Sequence, residues 1–153
     1  MNRYIISRVL GGYTVTDPYG AVIYRAKNSI FHLTATHILT DAAGNPVGKI
    51  RQRISPIVPA YTIEIEDETP IIIAQKLCFG THFRIKGRPW KMDGIPIAAG
   101  YLVLDEKEEI LYEVIKNDQR RQVSYTLTPK HSPLAGICLT IAADLSKRAI
   151  HQA

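Results

Sequence analysis

Arg84, Lys86, Arg88 and Lys91 follow one another at intervals of two and three residues. In an extended strand Arg84, Lys86 and Arg88 share one face, opposite Phe83 and Ile85. The chemistry open to such a face is attraction of anions, phosphate headgroups included. Lys49, Arg51 and Arg53 repeat the spacing, opposite Ile50 and Ile54. The two sets differ in what should lie beside them. If the strand around Lys49 to Arg53 pairs with Tyr61 to Glu66, Lys49 falls opposite Glu66 and Arg51 opposite Glu64, and cross-strand ion pairs absorb the charge. The strand ahead of the other set offers Ile71, Ile73 and Gln75, with no carboxylate. Arg84, Lys86, Arg88 and Lys91 are therefore the candidate anion- or headgroup-binding residues. Against this stands a plain solvated sheet face, where outward charges keep a strand soluble.

No arrangement of catalytic residues accompanies them, and the chain reads as a non-enzyme. His32, His37, His82, His131 and His151 are dispersed. Cys78 and His82 flank Gly80 but supply two ligands where a closed zinc site takes four, so neither metal nor cofactor is expected. Asp17, Asp41 and Asp105 recur at equivalent points of a repeat, which suits turn formation better than acid–base work. Cys138 lies in an apolar run that should keep its thiol protonated and inert. Asp144, beside apolar Leu145, needs a hydrogen-bonding partner if it is buried.

The elements that would position these groups come from a repeat. Tyr13-Thr-Val-Thr-Asp17, His37-Ile-Leu-Thr-Asp41, Tyr61-Thr-Ile-Glu-Ile65, Tyr101-Leu-Val-Leu-Asp105 and Tyr125-Thr-Leu-Thr-Pro129 start 24, 24, 40 and 24 residues apart, and Phe83-Arg-Ile-Lys-Gly87 fills the long gap. Each opens with alternating residues of high strand preference. In Asp17-Pro-Tyr-Gly20 the aspartate, proline and glycine take the first, second and fourth places of a type I turn, and Asp41-Ala-Ala-Gly44 repeats the outer two. Return strands follow at Ala21 to Lys27, Val47 to Arg53, Ile71 to Leu77 and Ile110 to Lys116. With a leading strand at Tyr4 to Val9, five hairpins and a last strand at Val123 to Leu127, about twelve strands precede a helix.

Ser132 and Pro133 suit the cap and first position of that helix, expected over residues 132–150. From Leu134 to Leu145 it has no polar stripe, and a helix apolar on all sides must be surrounded. An eight-stranded barrel fills with its own side chains, but one of about twelve strands leaves a wider lumen. A helix about 10–12 Å across could plug it. The expected fold is thus mainly β: a closed antiparallel barrel of sequential hairpins around a buried C-terminal helix, one domain over residues 1–153 with strands from about 3 to 128.

Composition sets broad limits. The 153 residues are 46% hydrophobic, enough for a sizeable core, and carry a net charge of +5. That excess permits an anionic partner, but no nucleic-acid-binding motif accompanies it, which disfavours nucleic acid. Met1 to Arg8 lacks the apolar stretch of a secretory signal, so residue 1 is expected to open the mature chain. Two cysteines, one of them in the helix, argue for a reducing, cytoplasmic setting. The apolar run ends at Asp144, well short of the roughly 20 residues a membrane span requires, so no transmembrane segment is expected.

The order of Tyr13-Thr-Val-Thr-Asp-Pro-Tyr-Gly20, Leu39-Thr-Asp-Ala-Ala-Gly44, Tyr61-Thr-Ile, Phe83-Arg-Ile, Asp93-Gly94, Tyr101 and Leu139-Thr-Ile-Ala-Ala-Asp144 resembles the LURP-one-related family of the Tubby C-terminal-like superfamily, most nearly its compact bacterial members. The resemblance implies a twelve-stranded barrel around a hydrophobic helix. Tubby-type relatives bind phosphoinositides, but no motif for that, or for calcium, matches here residue by residue. The functional expectation is a non-catalytic binding or scaffold domain engaging anionic phospholipid headgroups peripherally. The alternatives are a protein–protein interaction domain without a lipid role and a carrier of small apolar ligands.

Overall fold

Period-two alternation of apolar and polar residues, interrupted by aspartate, glycine and proline turns, organises the chain into twelve strands and one helix. The computed structural model describes residues 2–29, 34–54, 58–76, 79–95, 100–119 and 122–151. The strands are β1 (Tyr4–Val9), β2 (Gly12–Thr16), β3 (Val22–Ser29), β4 (Thr36–Asp41), β5 (Pro46–Gln52), β6 (Ala60–Ile65), β7 (Ile71–Lys76), β8 (Phe79–Lys86), β9 (Lys91–Ile95), β10 (Gly100–Leu104), β11 (Ile110–Gln119) and β12 (Gln122–Pro129); the helix is α1 (Pro133–His151). All form one antiparallel sheet in which β1 pairs with β12, giving the order β8-β7-β6-β5-β4-β3-β2-β1-β12-β11-β10-β9.

The barrel departs from the expected closed ring at one seam. β8 and β9 are consecutive and lie side by side, yet among the described residues no ladder joins them, so the fourth expected hairpin is instead the pair of sheet edges. The connecting turn explains the break: Gly87 is left-handed at φ 92°, and Pro89 has no N–H to give a ladder.

Three hairpin turns are built alike. The Oδ1 of Asp17 accepts from the amides of Tyr19 and Ala21, that of Asp41 from Ala43 and Asn45, and that of Asp105 from Lys107 and Glu109, all within 3.0 Å. Gly20 and Gly44 close the first two with φ of 93° and 89°. These aspartates are turn builders, as their recurrence in the sequence suggested.

The helix fills the lumen. Ala135 and Ile137 to Asp144 are buried, and inward residues from around the wall, among them Ile6, Tyr13, Leu39, Ile50, Ile63, Ile73 and Leu127, close on them. A carrier of apolar molecules would need that volume empty. Contact is tightest at Gly136, where an added Cβ would stand 2.4 Å from Cδ1 of Tyr112. Thr140 donates to the carbonyl of Gly136 at 2.9 Å, the one-turn return that lets a helical hydroxyl live dry, and its Oγ1 also meets the Tyr101 hydroxyl at 2.8 Å. Burial pushes the Cys138 thiol up to about 12, which makes it unreactive at neutral pH.

Candidate functional site

Following the ladders outward from β5 to β8 places the two cationic sets in one frame. The Arg53 amide donates to the carbonyl of Ala60, Ala60 pairs with Ala74, and Ala74 with Arg84. One row down, Arg51 pairs with Thr62, Thr62 with Ile72, and Ile72 with Lys86. Side chains two apart along a strand share a face. The cations of β5 and β8 are therefore two rails along a shared outer face, separated by three strand spacings, about 14 Å. Between them the floor is small and mostly apolar: Ala60, Thr62, Ile72 and Ala74. A shallow cavity of about 270 Å³ lies there, with Arg53 and Lys86 on its rim and Ile54 and Val58 at its lip. Ile54 is 90% exposed, although it follows directly on a cation and precedes a proline-bearing loop.

The four residues singled out from sequence divide. Arg84 and Lys86 are exposed neighbours on the face of β8, opposite buried Phe83 and Ile85. Arg88 does not continue their alternation, because the strand ends at Lys86 and Gly87 turns the chain. Its guanidinium donates to the carbonyl of Gly87 at 2.9 Å, reaches Glu68 at 3.5 Å and lies 5.8 Å from the centre of the Trp90 ring. Lys91 is exposed at the start of β9, across the seam. Arg53 and Ile54 join the site instead. The signal that could have found Ile54 is a bulky apolar residue in a charged, proline-flanked connection, where no strand face is available to bury it.

Two register expectations need correction. Lys49 lies opposite Glu64, not Glu66, and Arg51 opposite Thr62, not Glu64. Both registers put Ile50 on the inner face, and alternation is blind to a slip of two residues. The observed one pairs Ile50 with Ile63, both buried against α1. Arg51 still reaches Glu64 diagonally at 2.7 Å, so that charge is paired as anticipated. On β7 the outward neighbours of Lys86 and Arg84 are Ile72 and Ala74; Ile71, Ile73 and Gln75 point inward and are buried. No carboxylate lies in register with Arg84 or Lys86 in either reading. Cys78 lies outside the described residues.

Asp144 has the partners its burial demands. Arg8 contributes Nε at 3.0 Å and Nη2 at 2.6 Å, Tyr13 its hydroxyl at 2.5 Å and Tyr125 its hydroxyl at 2.6 Å. Burial alone would raise the carboxyl, but the hydrogen bonds from Arg8, Tyr125 and Tyr13 outweigh it and hold the group below the usual carboxylate value. This network ties α1 to β1, β2 and β12 and leaves no carboxylate oxygen spare for proton transfer. None of its three donors was picked out by local sequence reasoning, since Arg8 and Asp144 are 136 residues apart.

No helix among the described residues is long and apolar enough to cross a membrane. A crystal structure of an Arabidopsis thaliana protein shares the fold, with a TM-score of 0.68 over 94% of this chain and 89% of that one, at 17% sequence identity. No curated relative matches the sequence. The LURP-one-related family model matches residues 3–144, which take in all twelve strands and most of the central helix, and the chain therefore belongs to the LURP-one-related family.

Proposed function

We propose that the protein is a non-catalytic binding domain that docks on anionic phospholipid surfaces from the cytoplasmic side through the outer groove between β5 and β8. The observation that carries this reading is the joint placement of Arg53, Arg84 and Lys86, which form no ion pair among the described residues, around an apolar floor whose lip bears exposed Ile54. A solvated sheet face would call for the cations but not for the isoleucine. Headgroup phosphates would lie along the rails, and Ile54 would enter the interface. Of the cations first selected, Arg84 and Lys86 belong to this surface, while Lys91 adds long-range attraction and Arg88 remains bound to Glu68.

The energetics point to reversible attachment. Each Lys or Arg near an anionic surface contributes about 1 kcal/mol, so three give about 3 kcal/mol. Burial of an isoleucine adds about 2 kcal/mol. A total near 5 kcal/mol corresponds to a dissociation constant of a few tenths of a millimolar, about 0.2 mM. Cosedimentation of the full chain with phosphatidylserine vesicles tests this. Binding should fall with added salt, vanish in the double variant Arg84→Glu/Lys86→Glu and weaken in Ile54→Ser, with neutral phosphatidylcholine vesicles left unbound. Equal sedimentation of parent and double variant at low salt would sink the proposal, and capture of a protein partner that survives the charge reversals would favour the interaction-domain alternative.

A further inference from the structure

A second cavity, of about 290 Å³, opens at the end of the barrel where the C-terminal part of α1 emerges, apart from the outer groove. Asn28 of β3, His37 of β4, Gln52 of β5, Tyr61 of β6, and Leu145 and Arg148 of α1 line it. Five of these six can donate hydrogen bonds, and no carboxylate is among the described lining residues. His37 is 6% exposed, and its Nδ1 has no hydrogen-bonding partner among the described residues. An unsatisfied buried polar atom destabilises the fold, and an acceptor or donor supplied by a ligand would relieve that cost. Burial, and then the nearby Arg148, lower the imidazole pKa, so the ring is neutral at pH 7 and in its Nδ1–H tautomer presents a donor.

Arg148 supplies the charge. The acid one helical turn before it, Asp144, already accepts two N–H groups from Arg8 and two tyrosine hydroxyls, one pair on each oxygen. Among the described residues no carboxylate forms an ion pair with Arg148. The same end of the barrel holds Lys147 close to Lys116; burial, then that neighbour, push the Lys147 amine down to about 8. Most of the acids are elsewhere: nine of the fourteen lie in the turns at the opposite end, 17–21, 41–46, 65–71 and 104–110. The cavity thus combines one cation and several neutral donors, with no carboxylate among the described residues that line it.

We propose that this cavity binds the oxyanion group of a small molecule, a phosphate or a carboxylate, with Arg148 as its charge partner and Asn28, His37 and Gln52 as neutral donors. The site does not depend on the outer groove. Its volume corresponds to about ten water molecules at about 30 Å³ each, room for a phosphate monoester with a short carbon chain lying against Leu145.

The test is an NMR titration of the histidine side-chain resonances of the full chain with inorganic phosphate, glycerol 3-phosphate and succinate, against chloride at matched ionic strength. His37 should shift saturably with at least one of these oxyanions and not with chloride. Affinity should drop by about tenfold or more in Arg148→Gln, the loss expected on removing a charged hydrogen-bond partner. The drop should be smaller in Gln52→Leu and absent in Arg84→Glu/Lys86→Glu. Thermal unfolding of each variant confirms that it is folded. A lack of saturable His37 shift up to about 50 mM of every oxyanion, or shifts unchanged by Arg148→Gln, would overturn the site, since such ligands would then bind no better than millimolar solutes in general. Vesicle cosedimentation of Arg148→Gln separates the sources: impaired binding identifies the oxyanion as a lipid headgroup, and unimpaired binding identifies it as a free solute. Failure of the groove proposal leaves the His37 titration unaffected, so the two can fall separately.

Discussion

Replacing Asp144 by asparagine tests whether the buried carboxylate fastens the central helix to the wall. The substitution keeps the shape but removes the charge and turns an NH2 group toward two of the four donors, leaving one oxygen to accept from the other two. Hydrogen bonds to charged groups contribute about 1.5–3 kcal/mol each, and removing one partner of a buried pair costs about 3–5 kcal/mol. Arg8 retains 27% side-chain exposure and can rehydrate, whereas Tyr13 and Tyr125 are buried and cannot. That places the expected loss near the lower figure, about 3 kcal/mol. For a chain of this length each kcal/mol lowers Tm by about 2–4 °C, so Asp144→Asn should melt about 6–12 °C below the parent at pH 7. Circular dichroism melts, supported by urea unfolding with an unchanged slope, measure this. Tyr125→Phe, which deletes one donor and leaves the ion pair, should cost less. The dependence on pH carries a sign. The carboxyl is depressed in the fold, so its contribution is present above the unfolded value of about 3.9 and disappears as pH falls through the folded one. The gap between parent and Asp144→Asn should therefore stay constant from neutral pH to about 5 and narrow below about 4. An Asp144→Asn protein melting within about 2 °C of the parent at pH 7 would refute the reasoning.

Two further outcomes are expected. Gly136→Ala should be destabilised despite the better helix propensity of alanine, because its Cβ would stand 2.4 Å from the Tyr112 ring; overpacking of about 3 kcal/mol against a propensity gain of about 1 kcal/mol leaves a net loss near 2 kcal/mol, and a denaturation midpoint at or above the parent's would contradict the close approach. Tyr13, Tyr101, Tyr112 and Tyr125 are all raised, each chiefly by burial, so the stability they contribute is full below about 10 and is lost as pH climbs beyond it. The free energy of unfolding should fall above about pH 10 by up to about 1.4 kcal/mol per pH unit for each tyrosine, so melting temperatures should drop steeply there and less steeply in Tyr125→Phe.

The local chemistry of the chain determined a good deal of this protein. Alternation located β1 at Tyr4–Val9 and every later strand but β9 to within about four residues, because side chains must alternate between core and solvent along a half-buried strand; β9, at Lys91–Ile95, fell in no stretch read as a strand. The aspartates at 17, 41 and 105 declared their turns, since one short carboxylate can gather the amides two and four residues on. Ser132, Pro133 and the unbroken apolar run declared a helix that had to be enclosed. Tertiary structure decided what those periodicities leave degenerate. A slip of two residues preserves alternation, so only packing of Ile50 and Ile63 on the helix chose the register that moved Lys49 to Glu64. A shift of one residue on β7 exchanged Ile71 for Ile72 beside Lys86. The partners of Asp144, the ladder joining β12 to β1, the seam at Gly87 to Trp90, and the meeting of Arg53 with Arg84 and Lys86 across two intervening strands all relate residues far apart in the chain. No local propensity records such distances; they exist only once the sheet has curled around its helix.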